Sequence, residues 1–261
     1  MVKLYADDTN LFIFSQDITT LSITANEYLS HLSQCFVANK LSLNLDKTCL
    51  VTFGTQREYK FDIKIGTVKI TNVDHCRYLG VYIDRDLKWT EHINQLYKKM
   101  SNYAGIFYRI RQRLPDKCLK SIYFAFVYPH LLHGIEVYAN TRPTHLSKLM
   151  TLNNKILRIL QNKPYRSPVK DLYTAYNTLP IPQLHIQQLL LLVHKCIYHK
   201  YMVPQIYLDY FHDNYIIYSH DTRQKTNLHM FSVNSTFGQR SFKFQRASLS
   251  NDLPKSIKDI P

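Results

Sequence analysis

The chain has 261 residues, 45% of them hydrophobic, with six glycines, twenty tyrosines and a net charge of +14. That length suits one large domain or two small ones, and the composition excludes a low-complexity or disordered chain. No apolar run approaches the roughly 18 residues a membrane span needs, and no secretory signal is visible at the start. The five cysteines (Cys35, Cys49, Cys76, Cys118 and Cys196) are scattered and odd in number, with no Cys-x-x-Cys pair. They read as reduced thiols in an intracellular compartment, packed as small hydrophobes, and they argue against a zinc knuckle. Charge is unevenly spread. Residues 1–89 carry ten Lys/Arg and ten Asp/Glu, residues 90–200 sixteen against four, and residues 201–261 seven against five. A long polyanion is the natural partner of the middle segment, with a merely soluble basic surface as the other reading.

Residues 2–6 and 11–15 read as two short strands with Asp7-Asp8-Thr9-Asn10 as the turn, since Asp and Asn bond the local backbone. Asp17 or Thr19 caps a helix running to about Lys40, with Leu21, Ala25, Tyr28, Leu32, Cys35 and Phe36 at helical spacing. Leu41 to Leu45 alternates and predicts a strand; Cys49 to Phe53 predicts another. Phe61 to Ile70 predicts a hairpin turning at Gly66-Thr67, and Tyr78 to Ile83 a further strand. At Trp89-Thr90 the period changes. Thr90 is the expected N-cap of a helix whose apolar stripe runs Ile93, Leu96, Tyr97, Met100, Ala104, Phe107, Ile110, Leu114. On that helix Lys98, Arg109 and Arg113 fall on one side. Helices are also expected over about 116–138 (interrupted at Pro129), 145–161, 168–177 and 181–201. The tail from Pro204 reads as irregular or short β structure.

The chemistry is concentrated in Tyr5-Ala6-Asp7-Asp8. Two adjacent carboxylates at a bend repel each other, and a divalent cation is the usual compensation. Hard oxygen ligands suit Mg²⁺, which binds through one or two carboxylates plus substrate phosphates. Asp7 and Asp8 are therefore the candidate metal ligands.

Four stretches carry a family resemblance. They are Tyr5 to Thr9, Asn39 to Thr48 (Asn-Lys-Leu-Ser-Leu-Asn-Leu-Asp-Lys-Thr), Tyr78-Leu79-Gly80-Val81 followed by Leu87-Lys88-Trp89 and His92-Ile93, and Phe237 to Ser241 with Asn251-Asp252-Leu253-Pro254. In this order they resemble the C-terminal half of a reverse transcriptase from a non-LTR (LINE-type) retrotransposon. The resemblance implies an α+β fold: a partial palm over 1–89, a basic helical thumb over 90–203 and a C-terminal extension over 204–261. It implies an RNA-directed DNA polymerase that extends a DNA primer on an RNA template by a two-metal reaction. Asp7 and Asp8 would hold Mg²⁺, with Asp7 the main ligand. Lys47 would sit near the incoming triphosphate. Tyr78, Leu79 and Gly80 would hold the primer terminus. Lys98, Arg109 and Arg113 as phosphate contacts rest on helical geometry alone, with a solvated helix face as their alternative. Nucleus and cytoplasm are the compartments the resemblance implies.

The family's third aspartate and its fingers should precede Tyr5, so the chain alone is expected not to polymerise. A separate chain or upstream segment would supply them. Ser250 stands where the family usually has tryptophan. The alternatives are a non-enzymatic nucleic-acid-binding module built on residues 90–200 and an inert relic of a truncated element. His130 and His133 share a helical face but lack a matching Glu, so a structural role outweighs a metal role. His194 and His199 are poorly spaced for one face, and no serine or cysteine nucleophile has a local motif. The tyrosines read as packing residues rather than base-stacking ones.

Overall fold

The computed structural model describes residues 1–54, 61–209, 212, 214–218, 224, 225 and 227–258. It is a mixed helix and sheet structure and divides into two compact units. One comprises Met1–Tyr78 with Tyr82–Leu87, the other Leu79–Val81 with Lys88–Pro261.

The first unit opens with strands β1 (Val2–Tyr5) and β2 (Asp8–Leu11), paired antiparallel from Val2–Leu11 to Tyr5–Asp8. The Phe12 amide donates to the Met1 carbonyl at 2.9 Å and extends the ladder. The connection is two residues, Ala6-Asp7, rather than the four expected. Ala6 takes φ 51°, and positive φ at the first loop position is what lets a two-residue hairpin close. Thr9 and Asn10 are consequently in the strand, and residues 13–15 carry no ladder.

Helix α1 (Ile18–Ala38) is capped by Asp17, whose carboxylate accepts from the Thr20 amide at 2.6 Å. Of its expected stripe only Ala25 is fully buried, while Tyr28 and Cys35 face solvent. Asn26 fastens the helix to the sheet: its side-chain amide donates to the Asp62 carbonyl at 3.0 Å and accepts from the Lys64 amide at 2.9 Å. Ala25, Ile63 and Ile70 form the unit's small core, with Ile13, Leu29, Leu50, Phe61 and Ile65 packed on it.

The strand expected over Leu41–Leu45 does not form. The Asn44 side chain accepts from the Lys47 amide at 3.2 Å and starts a 3₁₀ turn, Leu45–Lys47. A local side-chain bond of this kind offers the backbone an alternative to a ladder. Of Cys49 to Phe53 only β3 (Cys49–Leu50) is laddered. The hairpin of β4 (Lys64–Ile65) and β5 (Val68–Lys69) turns at Gly66, φ 60°, as expected. Strand β6 (Thr71–Asn72) runs parallel to β3. Tyr78 to Ile83 is a hairpin rather than one strand: β7 (His75–Tyr78) and β8 (Val81–Asp84) flank the loop Leu79-Gly80.

The second unit is helical. Helix α2 (Thr90–Ile110) has Trp89 at its cap in the left-handed region, so Thr90 is its first helical residue. It stops at Ile110. Arg113 lies in the turn that follows, its amide bonded to the Ile110 carbonyl at 2.9 Å, so it does not share the helix face of Lys98 and Arg109. Tyr97 and Leu114, expected inward, are exposed.

The helix expected over 116–138 is three pieces, α3 (Asp116–Phe126), α4 (Tyr128–Leu132) and α5 (Ile135–Tyr138). Pro129 lacks the amide to continue α3, and Gly134 at φ 69° breaks α4 from α5. Helix α6 (Pro143–Leu160) packs along α2, and its Leu146, Leu149, Leu152, Ile156, Leu157 and Leu160 are all buried as its spacing predicts. Helices α7 (Val169–Tyr176) and α8 (Ile181–Tyr198) complete the bundle. Beneath them Asn153 is fully buried, accepting from the Tyr123 hydroxyl at 3.3 Å and donating to the Tyr173 hydroxyl at 3.1 Å.

The tail, where described, is helical rather than β: α9 (Gln205–Leu208), α10 (Asn214–Ile217), α11 (Thr236–Gln239), α12 (Phe242–Asp252) and α13 (Lys255–Lys258). Ser235 and Ser241 each accept from an amide three residues on and start α11 and α12. Among the described residues no helix is long and apolar enough to cross a membrane.

Candidate functional site

Asp7 occupies the second loop position of the first hairpin and Asp8 the first position of β2. Both are exposed, and neither carboxylate has an ion pair or hydrogen bond among the described residues. The Ala6 turn carries two consecutive hard-oxygen donors, a partial ligand set of the kind Mg²⁺ takes. No third acidic, histidine or cysteine side chain joins them among the described residues.

Tyr78 is tied to the same hairpin. Its ring meets that of Phe12 edge-on, with centroids 6.1 Å apart, and Phe12 closes the β1–β2 ladder. Lys47 stands exposed at the end of its 3₁₀ turn, with no ion pair to either aspartate among the described residues.

The loop after Tyr78 is set by two left-handed residues, Leu79 at φ 46° and Gly80 at φ 86°. Positive φ at both central positions defines the tight hairpin loop whose twist matches its strands. In the helical unit the His133 Nε2 lies 2.9 Å from the Leu79 carbonyl oxygen. A Cβ on Gly80 would fall 2.7 Å from that same nitrogen. Just beyond, the Thr141 hydroxyl donates to the Lys88 carbonyl at 2.6 Å. His130 stacks on Tyr103, with centroids 5.9 Å apart. Burial pushes the His130 imidazole below its usual range, and the Lys99 charge adds to this. His92 packs against Tyr138, and burial lowers its pKa to about 4.

Lys98, Arg109 and Arg113 are exposed, but Arg113 is off the helix. The structure adds a groove the sequence reading missed. Tyr97, Ser101 and Ala104 of α2 and Ser147, Lys148, Thr151, Leu152 and Lys155 of α6 line an open cleft of about 310 Å³. Lys148 bonds Asn94 across it. A signal was present: residues 92–115 carry five Lys/Arg and residues 137–170 seven, and neither stretch contains an Asp or Glu. What the sequence hid was that these two stretches pack together.

Comparison with curated proteins points the same way as the motifs. The RNA-directed DNA polymerase from the mobile element jockey of Drosophila melanogaster is 26% identical over 187 residues, 70% of this chain and 20% of the relative. The chain is similar to the reverse transcriptases of non-LTR retrotransposons. The jockey polymerase of Drosophila funebris is 27% identical over 66% of the chain and 19% of its own length. The probable RNA-directed DNA polymerase from the Drosophila melanogaster transposon BS is 22% identical over 63% of the chain. This chain thus spans about a fifth of the length of the reverse transcriptases it matches. No family model matches the chain, and no solved structure matches it.

Proposed function

We propose that the chain forms the end of the palm and the thumb of a LINE-type RNA-directed DNA polymerase, acting on an RNA template and a DNA primer. The observation that carries this reading is the exposed Asp7-Asp8 pair on a tight hairpin, in a chain similar to such polymerases. When bound, divalent metal supplies charge neutralisation and activates the attacking 3′-oxygen. Asp7 and Asp8 would hold it. Lys47 would attract the triphosphate, and the Tyr78-Leu79-Gly80 loop would seat the primer terminus. The basic face of α2 and α6 would hold the sugar–phosphate backbone, since beyond Glu91 in the first turn of α2 neither helix carries an Asp or Glu to repel phosphate.

Two carboxylates, with no third ligand beside them among the described residues, are too few to assemble a two-metal centre, so the chain alone is expected to bind nucleic acid without polymerising. Primer extension in Mg²⁺ or Mn²⁺, alongside fluorescence anisotropy with a primer–template duplex, tests both halves. The expected result is tight, salt-sensitive binding, unchanged by Asp7→Asn, and no incorporation. Incorporation abolished by Asp7→Asn would overturn the inactivity, and absence of binding would overturn the whole reading.

A further inference from the structure

Two glycine turns meet in the helical unit. Gly80 (φ 86°) lies in the hairpin loop and Gly134 (φ 69°) at the break between α4 and α5. Each is closed to a side chain. A Cβ on Gly80 would stand 2.7 Å from the His133 Nε2, and one on Gly134 would stand 2.8 Å from a Val81 methyl. Contacts that short do not occur for real Cβ atoms, so the two turns interlock, and His133 is the side chain at their centre.

The bond it makes has a definite direction. A carbonyl oxygen only accepts, so at 2.9 Å the His133 Nε2 must carry the proton and donate to Leu79. That fixes the tautomer and leaves Nδ1 without the proton in the neutral ring. It also fixes the carbonyl of the first loop residue, and hence the peptide plane between Leu79 and Gly80. A peptide flip in a two-residue loop would reverse which groups the loop shows to a ligand. Thr141 holds the Lys88 carbonyl in the same manner, so the helical unit grips the chain at the loop and again at the start of α2.

We infer that His133 is a positioning residue for the Leu79-Gly80 loop: its Nε2–H holds the loop peptide in the one orientation that can seat a primer 3′ end. This rests on the reading of that loop given above. His133 touches no substrate in this scheme and acts only through the loop.

The test uses the full chain and two DNA–RNA duplexes, one with a recessed primer 3′ end and one blunt. Wild type is expected to prefer the recessed end. His133→Leu should bind the blunt duplex as wild type does and lose about fivefold of the preference, the size of one neutral hydrogen bond. His133→Gln, which returns an N–H donor at similar reach, should restore it. A purely structural role would not separate the two duplexes or be rescued by an amide. If wild type prefers the recessed end and His133→Leu keeps that preference, the inference is wrong while the loop reading stands. If wild type shows no preference, the loop reading fails and takes the inference with it. Should His133→Leu not fold, ¹⁵N spectra of histidine-labelled wild type decide instead. A proton on Nε2 of neutral His133 supports the inference, and one on Nδ1 overturns it.

Discussion

Asn251 holds the backbone of Leu228 at both ends of one residue. Its side-chain oxygen accepts from the Leu228 amide and its side-chain nitrogen donates to the Leu228 carbonyl, each at 2.9 Å. Leu228 is buried beside Val193 of α8 and Ala247 of α12. The asparagine of the Asn-Asp-Leu-Pro stretch is therefore a clamp that closes the tail onto α8. Asn251→Ala leaves two backbone groups without their partner, at a cost of about 1–3 kcal/mol. Chemical denaturation should show the midpoint falling with little change in slope, and Asn251→Asp should recover only the half of the clamp that accepts.

His185 makes stability depend on pH. It is buried on α8, its Nε2 has no hydrogen-bond partner among the described residues, and burial depresses its pKa to about 4. In the unfolded chain it titrates near 6.5. Between those values the unfolded state binds the extra proton, so stability is fully present above about pH 6.5 and declines as pH falls toward 4. His92 adds to the decline over the same window. Urea melts at pH 7 and pH 5 should differ by about 1–3 kcal/mol, and His185→Leu should lessen the difference.

The groove between α2 and α6 should carry nucleic-acid affinity. Lys148→Ala and Lys155→Ala remove cations from a cleft whose lining residues include no carboxylate. Each cation that neutralises a phosphate should, when removed, reduce the slope of log K against log salt by about 0.9 on a B-form duplex and by a similar amount on a hybrid. Arg113→Ala, off the helix face, should change the slope less. Equal effects at all three positions would show that general charge, rather than the groove, attracts the ligand.

Some of this was legible in the sequence and some was not. The six inward positions of α6 and the Gly66 hairpin follow from local spacing, because burial and turn chemistry there agree with the pattern. The alternation of Leu41 to Leu45 misled because the Asn44 side chain accepts from the Lys47 amide and starts a 3₁₀ turn at Leu45, inside the expected strand. Helix α2 ends earlier than its apolar period suggests, since that period runs past the last residue that is helical. Helices α11 and α12 of the tail are short and start on serine caps, with little apolar period to read. At the candidate site, Asp7, Asp8 and the Tyr78-to-Gly80 loop stood out as motifs. The partners of the loop, and the groove lysines, did not. His133 lies 54 residues from Leu79, and Lys148 lies 54 from Asn94, separations at which only tertiary packing brings groups together.

Among the described residues the core of the first unit consists of three buried side chains, Ala25, Ile63 and Ile70, where α2 and α6 share a much larger one. So few buried groups set a low ceiling on the free energy needed to open that unit locally. Amide exchange should therefore be fast in α1 and slow in α6, under conditions where the chain as a whole stays folded. Limited proteolysis should follow the same order, cutting the first unit before α6, so the carboxylates are expected to have a shorter lifetime than the cationic surface.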